Sequence, residues 1–327
     1  MPLVDDRRRT AIRSCLLLVL AAACLLSMAA GPAARADDGS WRWGIVHLRL
    51  ARTAMGVVTG AGLSVAGVIF QAILRNPLAE PYVLGVSSGA GLGAALAIVL
   101  GLTALSAWTL PGMAFVGAIG TILVVYTLAR TATGAVPASS LLLSGVVVST
   151  MLGSLLMFLV SAAPSEKLQN VVWWLLGDLQ VFDGGLLRIV AGVVAAGVVF
   201  STFFARDLNL LALGEEAAGH LGLDVEWSKK WFFVAASLMT GATVSACGLI
   251  GFVGLMVPHT VRLLIGPDHR RLVIASALAG AAFLVLADTL ARTVLAPREI
   301  PIGVVTALLG GPFFLVLLKR RKPSAWS

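Results

Sequence analysis

The chain has 327 residues, of which 58% are hydrophobic and only 12% charged, with a formal net charge of +8. A soluble globular protein carries about twice that share of charge, so a water-solvated enzyme domain with polar faces on its helices is excluded. No run interleaves basic with aromatic residues, which excludes a nucleic-acid footprint, and Cys15, Cys24 and Cys247 lie singly in apolar segments without a CxxC pair.

Hydropathy places about ten membrane segments, near 14–34, 54–73, 84–103, 108–129, 139–162, 186–204, 230–249, 250–265, 272–293 and 302–318. The first has a basic start, Arg7–Arg8–Arg9, and an Ala-Arg-Ala ending before Asp37, the build of a cleaved signal peptide. Its apolar stretch is long for that role, and it is read as a retained span. Arg49 and Arg52 stand one helical turn apart before the second span. "RNPLAEP" (75–81) then separates two apolar segments; its prolines end one helix and start the next. "GVSSGAGLG" opens a third span whose small residues, with Gly60, Gly62 and Gly67 of the second, let helices approach closely.

"VPASSLLLSG" leads into the fifth span. "PSEKLQNVVWWLLGDLQ" follows it, a short amphipathic helix whose Trp173 and Trp174 suit a membrane interface. The longest polar insert, "LGEEAAGHLGLDV" (213–225), lies between spans six and seven. His259, beside Pro258, reads as a helix-start residue. Asp288 is the one carboxylate deep in an apolar run and is expected to pair with backbone or an Arg at the outer end. Arg298 and Glu299 are close enough in sequence to pair with each other. No His/Cys/Asp/Glu cluster suggests a bound ion.

With ten crossings and the N-terminus inside, most of the 24 Lys and Arg fall on inner segments, and both termini are cytoplasmic. Arg49, Arg52 and Arg292 oppose that bias. The stretch 59–77 also lies over 240–258, matching Thr59 with Thr240, Gly60 with Gly241, Ser64 with Ser245, Gly67 with Gly248 and Pro77 with Pro258. The copies are separated by an odd number of crossings, which makes them an inverted repeat of the kind found in transporters. The chain is thus read as one all-α polytopic membrane domain, 1–327, with repeat halves about 49–163 and 229–320 and an inner loop about 205–228.

"GLSVAGVIFQAILRNPLAEPYVLGVSSGAGLG", "LGEEAAGHLGLDV", "GLIGFVGLMVPHTVRLLIGPDHR", "ADTLAR" and "IPIGVVTALLGGPFFLVLLKR" resemble the FecCD/BtuC-like permeases of bacterial ABC importers for iron-siderophores, haem and cobalamin. The resemblance covers about residues 45–320. It implies a type II importer permease in the cell (inner or plasma) membrane, working as a homodimer or heterodimer. It also implies two cytoplasmic ATPase subunits, an external substrate-binding protein and surrounding lipid as partners. The chain has no GxxxxGK[ST] loop, so it is no enzyme, and ATP and Mg belong to the partner ATPase; no cofactor is expected on this chain.

By the same resemblance, Gly214, Glu215, Glu216, Ala217, Ala218, Gly219, His220, Leu221 and Gly222 couple the permease to the ATPase. Arg49, Arg52 and Arg292 receive acidic residues of the binding protein, a task suited to the bidentate guanidinium; interfacial snorkelling is the alternative. Ala138 and Ser139 narrow the inner end of the path. An ion-coupled secondary transporter is the competing class; the spans lack the paired acids and bases of a proton relay. The cargo stays open among the three chelate types.

Overall fold

The computed structural model describes residues 6–30, 43–132, 134–181 and 183–320. Among these residues there are thirteen α-helices and no strand: α1 (Asp6–Ala29), α2 (Trp43–Ile73), α3 (Val86–Val99), α4 (Thr109–Ala129), α5 (Ala138–Ala162), α6 (Ser165–Leu175), α7 (Gly184–Phe203), α8 (Ala205–Leu213), α9 (Glu215–His220), α10 (Val225–Cys247), α11 (Val253–Ile265), α12 (His269–Thr293) and α13 (Ile302–Arg320). Each expected span coincides with a helix. α1, α2, α4, α5, α7 and α12 are long and apolar enough to cross a membrane. The chain is a multi-pass membrane protein. The Ala-Arg-Ala ending of the first segment and the basic tail Arg321–Lys322 lie outside the described residues.

α2 and α12 form the centre and are largely buried, whereas α1, α5 and α7 show most of their surface. That division follows composition. α2 carries glycines at its crossings, and the Gly67 Cα abuts the Gly254 backbone of α11 so closely that a Cβ would overlap the Gly254 carbonyl. α5 instead exposes Leu143, Val146, Val147, Met151 and Phe158, apolar side chains that need lipid or a second helix for cover.

Two helices are shorter than their expected spans. α3 stops at Val99 rather than near 103, and α11 starts at Val253 rather than 250. At 1.5 Å per residue they are about 21 and about 20 Å long, less than a hydrocarbon core of about 30 Å. The break before α11 comes from Gly248 (φ 70°) and Phe252 (φ 68°), both outside the helical region. His259 and Pro258 therefore lie inside α11, which corrects the helix-start reading: the left-handed Phe252 already starts the helix.

The two aligned stretches also differ locally. α2 runs unbroken through Gly67 to Ile73, while α10 ends at Cys247 and its counterpart glycine, Gly248, turns the chain. Of the two aligned glycines, Gly67 serves close packing and Gly248 a positive φ.

Candidate functional site

Three groups of polar residues interrupt the apolar bundle. The first joins α1, α2 and α12. Asp288 accepts from Arg52 Nε at 2.9 Å and from Arg292 Nε at 3.0 Å. Arg52 Nη1 reaches Glu299 at 2.8 Å. Arg292 Nη2 donates to Ser27 Oγ at 2.9 Å, and Arg49 Nη1 donates to the Met28 carbonyl at 2.9 Å. The expectation that Asp288 pairs with an Arg is met twice over. Glu299 pairs with Arg52, not with its neighbour Arg298. Asp288 is 2% exposed, and Arg49 and Arg292 are 7% exposed. The three arginines are thus gathered, Arg49 and Arg292 buried and Arg52 half-buried, with Arg52 reaching the partly exposed Glu299. Ser27, on the first hydrophobic segment, is a partner that no motif announced.

The second group sits where the short helices begin. The Tyr82 hydroxyl donates to the Ile250 carbonyl at 3.0 Å and accepts the Ile250 N–H at 2.9 Å. The Glu80 carboxylate accepts the Phe252 N–H. These bonds fill the backbone groups that the break leaves open, and backbone at membrane depth must be filled this way. Pro258 has no N–H to give the Gly254 carbonyl four residues back. Gln71 Nε2 approaches that carbonyl at 3.3 Å instead, while Gln71 Oε1 accepts from Arg262 Nη2 at 2.8 Å. The Phe252 ring packs on Gly310 of α13, where a Cβ would overlap it. "RNPLAEPY" is therefore a segment packed onto the α11 break rather than a simple loop. The signal was present in a Glu and a Tyr set between apolar segments, with their partners unreadable.

The third group is the polar insert. It begins at the end of α8 and folds as α9, with Gly214 at φ 117° between the two helices. α9 shows Glu216, Ala217, Gly219 and His220 to the surface, followed by exposed Leu221 and Gly222, while Ala218 is its buried plug. Glu215 pairs with the buried Lys229 of α10 at 3.1 Å, and Glu226 meets the same ammonium at 3.3 Å. Ala138 and Ser139, at the start of α5, share a cavity of about 610 Å³ with Arg75, Gly214, Glu215, Glu216 and Ala217. The residues expected to narrow the path thus face the residues expected to couple.

α8 is also anchored to α12. Asn209 Nδ2 donates to Asp268 Oδ1 at 2.9 Å, and Asn209 Oδ1 accepts the His269 N–H at 2.9 Å. Burial pushes the Asp268 carboxyl up, but the bonds from Asn209 and the Arg270 N–H, with Arg271 and Arg270 nearby, hold it below the usual carboxylate range. The clamp ties α8 to the first turn of α12.

Residues 12–320 match the model of the FecCD transport family. The chain belongs to the FecCD transport family. This FecCD chain is 44% identical over 278 residues to the cobalamin import system permease protein BtuC of Halobacterium salinarum, covering 85% of this chain and 74% of that one. It is 38% identical over 290 residues to the hemin transport system permease protein HmuU of Yersinia pestis, covering 88% and 86%. Among solved structures it superposes with a TM-score of 0.86 and 30% identity on a chain described as an inward-facing conformation of a transporter assigned to the metal-chelate ABC type, covering 96% of this FecCD chain and all of the other.

Proposed function

We propose that this chain is the transmembrane permease subunit of an ABC importer. It carries an iron-siderophore, haem or cobalamin-type complex from an external binding protein across the cell membrane, driven by a partner ATPase. In this reading the chain crosses ten times with both termini in the cytoplasm, its halves are inverted repeats, and two permease chains enclose the path. It contributes no catalysis and holds no cofactor.

The observation that carries the reading is the shared cavity of α5 and α9. An exposed short helix, Glu215–His220, stands against Ala138 and Ser139. A push on α9 from a docked ATPase reaches the inner end of the path directly, and through the Asn209 clamp reaches α12. The cargo class draws support from the relatives, whose names specify cobalamin and hemin. Arg49, Arg52 and Arg292 are assigned to binding-protein docking, with Arg52 presenting the accessible nitrogen. Because Asp288 occupies Arg52 and Arg292, and Glu299 occupies Arg52, in this conformation, docking through these two arginines requires an exchange of carboxylate partners.

The test is reconstitution into vesicles with a partner ATPase and binding protein. Cargo accumulation that depends on ATP and on both partners is the expected result. Gradient-driven accumulation by this chain alone would assign it to ion-coupled secondary transport.

A further inference from the structure

Beyond its transport role, the chain has a second feature at the end of the bundle that carries α8 and α9. A cavity of about 850 Å³ opens between the last turn of α2, α8 and the α11–α12 turn. Arg75, Arg262 and Arg271 line it. Arg75 is exposed and forms no ion pair among the described residues. Arg262 is half-buried and is held by Gln71, a neutral partner. The one carboxylate in the wall, Asp268, already accepts from Asn209 and from the Arg270 N–H. Asp268 also pairs with Arg271 at 3.9 Å, so the excess positive charge of the cavity rests on Arg75 and Arg262, neither of which has a carboxylate partner among the described residues.

Its rim has the opposite character. Leu263 and Leu264 follow Arg262 on α11 and are 70% and 58% exposed, and Leu213 at the end of α8 is 65% exposed. A cationic interior with an apolar lip on a membrane helix matches an amphiphile with an anionic head. An inorganic anion would leave the leucines uncovered. An acidic protein segment would have to approach across the apolar lip. Basic pockets between membrane helices suit anionic lipid head groups for this reason.

We infer that this cavity binds the phosphate head group of an anionic phospholipid, with Arg75 and Arg262 on the phosphate and an acyl chain along Leu263 and Leu264. The bound lipid would brace α2, α8 and α11 together beside the α8–α12 clamp.

The experiment uses the full-length purified chain exchanged into mixed phosphatidylcholine and phosphatidylglycerol, with native mass spectrometry counting each lipid retained. The wild type is expected to retain phosphatidylglycerol preferentially. Each of Arg75→Gln and Arg262→Gln is expected to weaken that preference about fivefold at low salt. Arg75→Gln is the informative variant if Arg262→Gln fails to fold, because Arg75 is exposed and has no partner to lose. Equal retention of both lipids by the wild type, or an unchanged preference in Arg75→Gln, overturns the proposal. Displacement of the lipid by glycerol 3-phosphate at equal concentration would show that the head group alone is the ligand and overturn the acyl-chain assignment. Crosslinking of the cavity to an acidic segment of the partner ATPase, with no lipid retained, would assign it to protein docking and overturn it as well.

Discussion

The Tyr82 hydroxyl closes both backbone groups of Ile250, donating to its carbonyl at 3.0 Å and accepting its N–H at 2.9 Å across 168 residues of sequence. A break in a membrane helix survives only where such partners exist. Tyr82→Phe keeps the ring and removes both bonds. It is expected to lower stability by about 1–3 kcal/mol, the cost of leaving buried backbone groups unpaired, read as a lower midpoint of thermal unfolding in detergent. An unchanged midpoint would show that water replaces the hydroxyl.

Asp288 pairs with two guanidinium groups at once. Asp288→Ala leaves Arg52 and Arg292 without their shared carboxylate, and removing one member of a buried pair costs about 3–5 kcal/mol. Folded yield and unfolding midpoint are expected to fall sharply. The double variant Asp288→Leu with Arg292→Met, which removes charge from both sides, is expected to recover part of the loss. A double-mutant cycle measures the coupling directly.

Phe252 and Gly310 form a size pair between the α11 break and α13. Gly310→Val places side-chain atoms into the Phe252 ring, and overpacking costs about 1–3 kcal/mol. Phe252→Gly in the same chain opens that space and relieves the positive φ at position 252. The double variant is expected to be more stable than Gly310→Val alone; simple additivity of the two changes would show that the ring moves aside freely.

The coupling reading predicts a separation of folding from transport. Replacing 214–222 by a Gly/Ser linker is expected to leave an inserted chain with a size-exclusion profile like the wild type. Uptake by the reconstituted transporter should be lost and the ATPase should no longer co-purify. Retained ATP-dependent uptake would remove α9 from the mechanism.

Topology is checked with reporter fusions. A reporter after Lys322 is expected to read cytoplasmic and one near Gly184 external. A cytoplasmic reading near Gly184 would change the number of crossings before α7.

Hydropathy located every long apolar helix, because transfer into lipid is a sum over neighbouring side chains and is legible along the chain. It missed the starts of α1 at Asp6 and α2 at Trp43, where the charged and polar first turns lie outside the apolar run. The polar insert stood out for the same reason, and its folding into α9 kept Glu215, Glu216 and His220 together on one short helix. Asp288 was marked as needing a partner, because a carboxylate in an apolar run cannot be left alone. Which partners it takes depended on the packing of α12 on α2, which brings Arg52 to it across 236 residues. That packing buried Arg49 and Arg292, turned Glu299 toward Arg52, and brought Tyr82 and Glu80 onto the α11 break. It also set Ala138 and Ser139 against α9. Burial and hydrogen-bond choice are properties of helices in contact. No local sum along the sequence contains them, so the tertiary structure alone decided them.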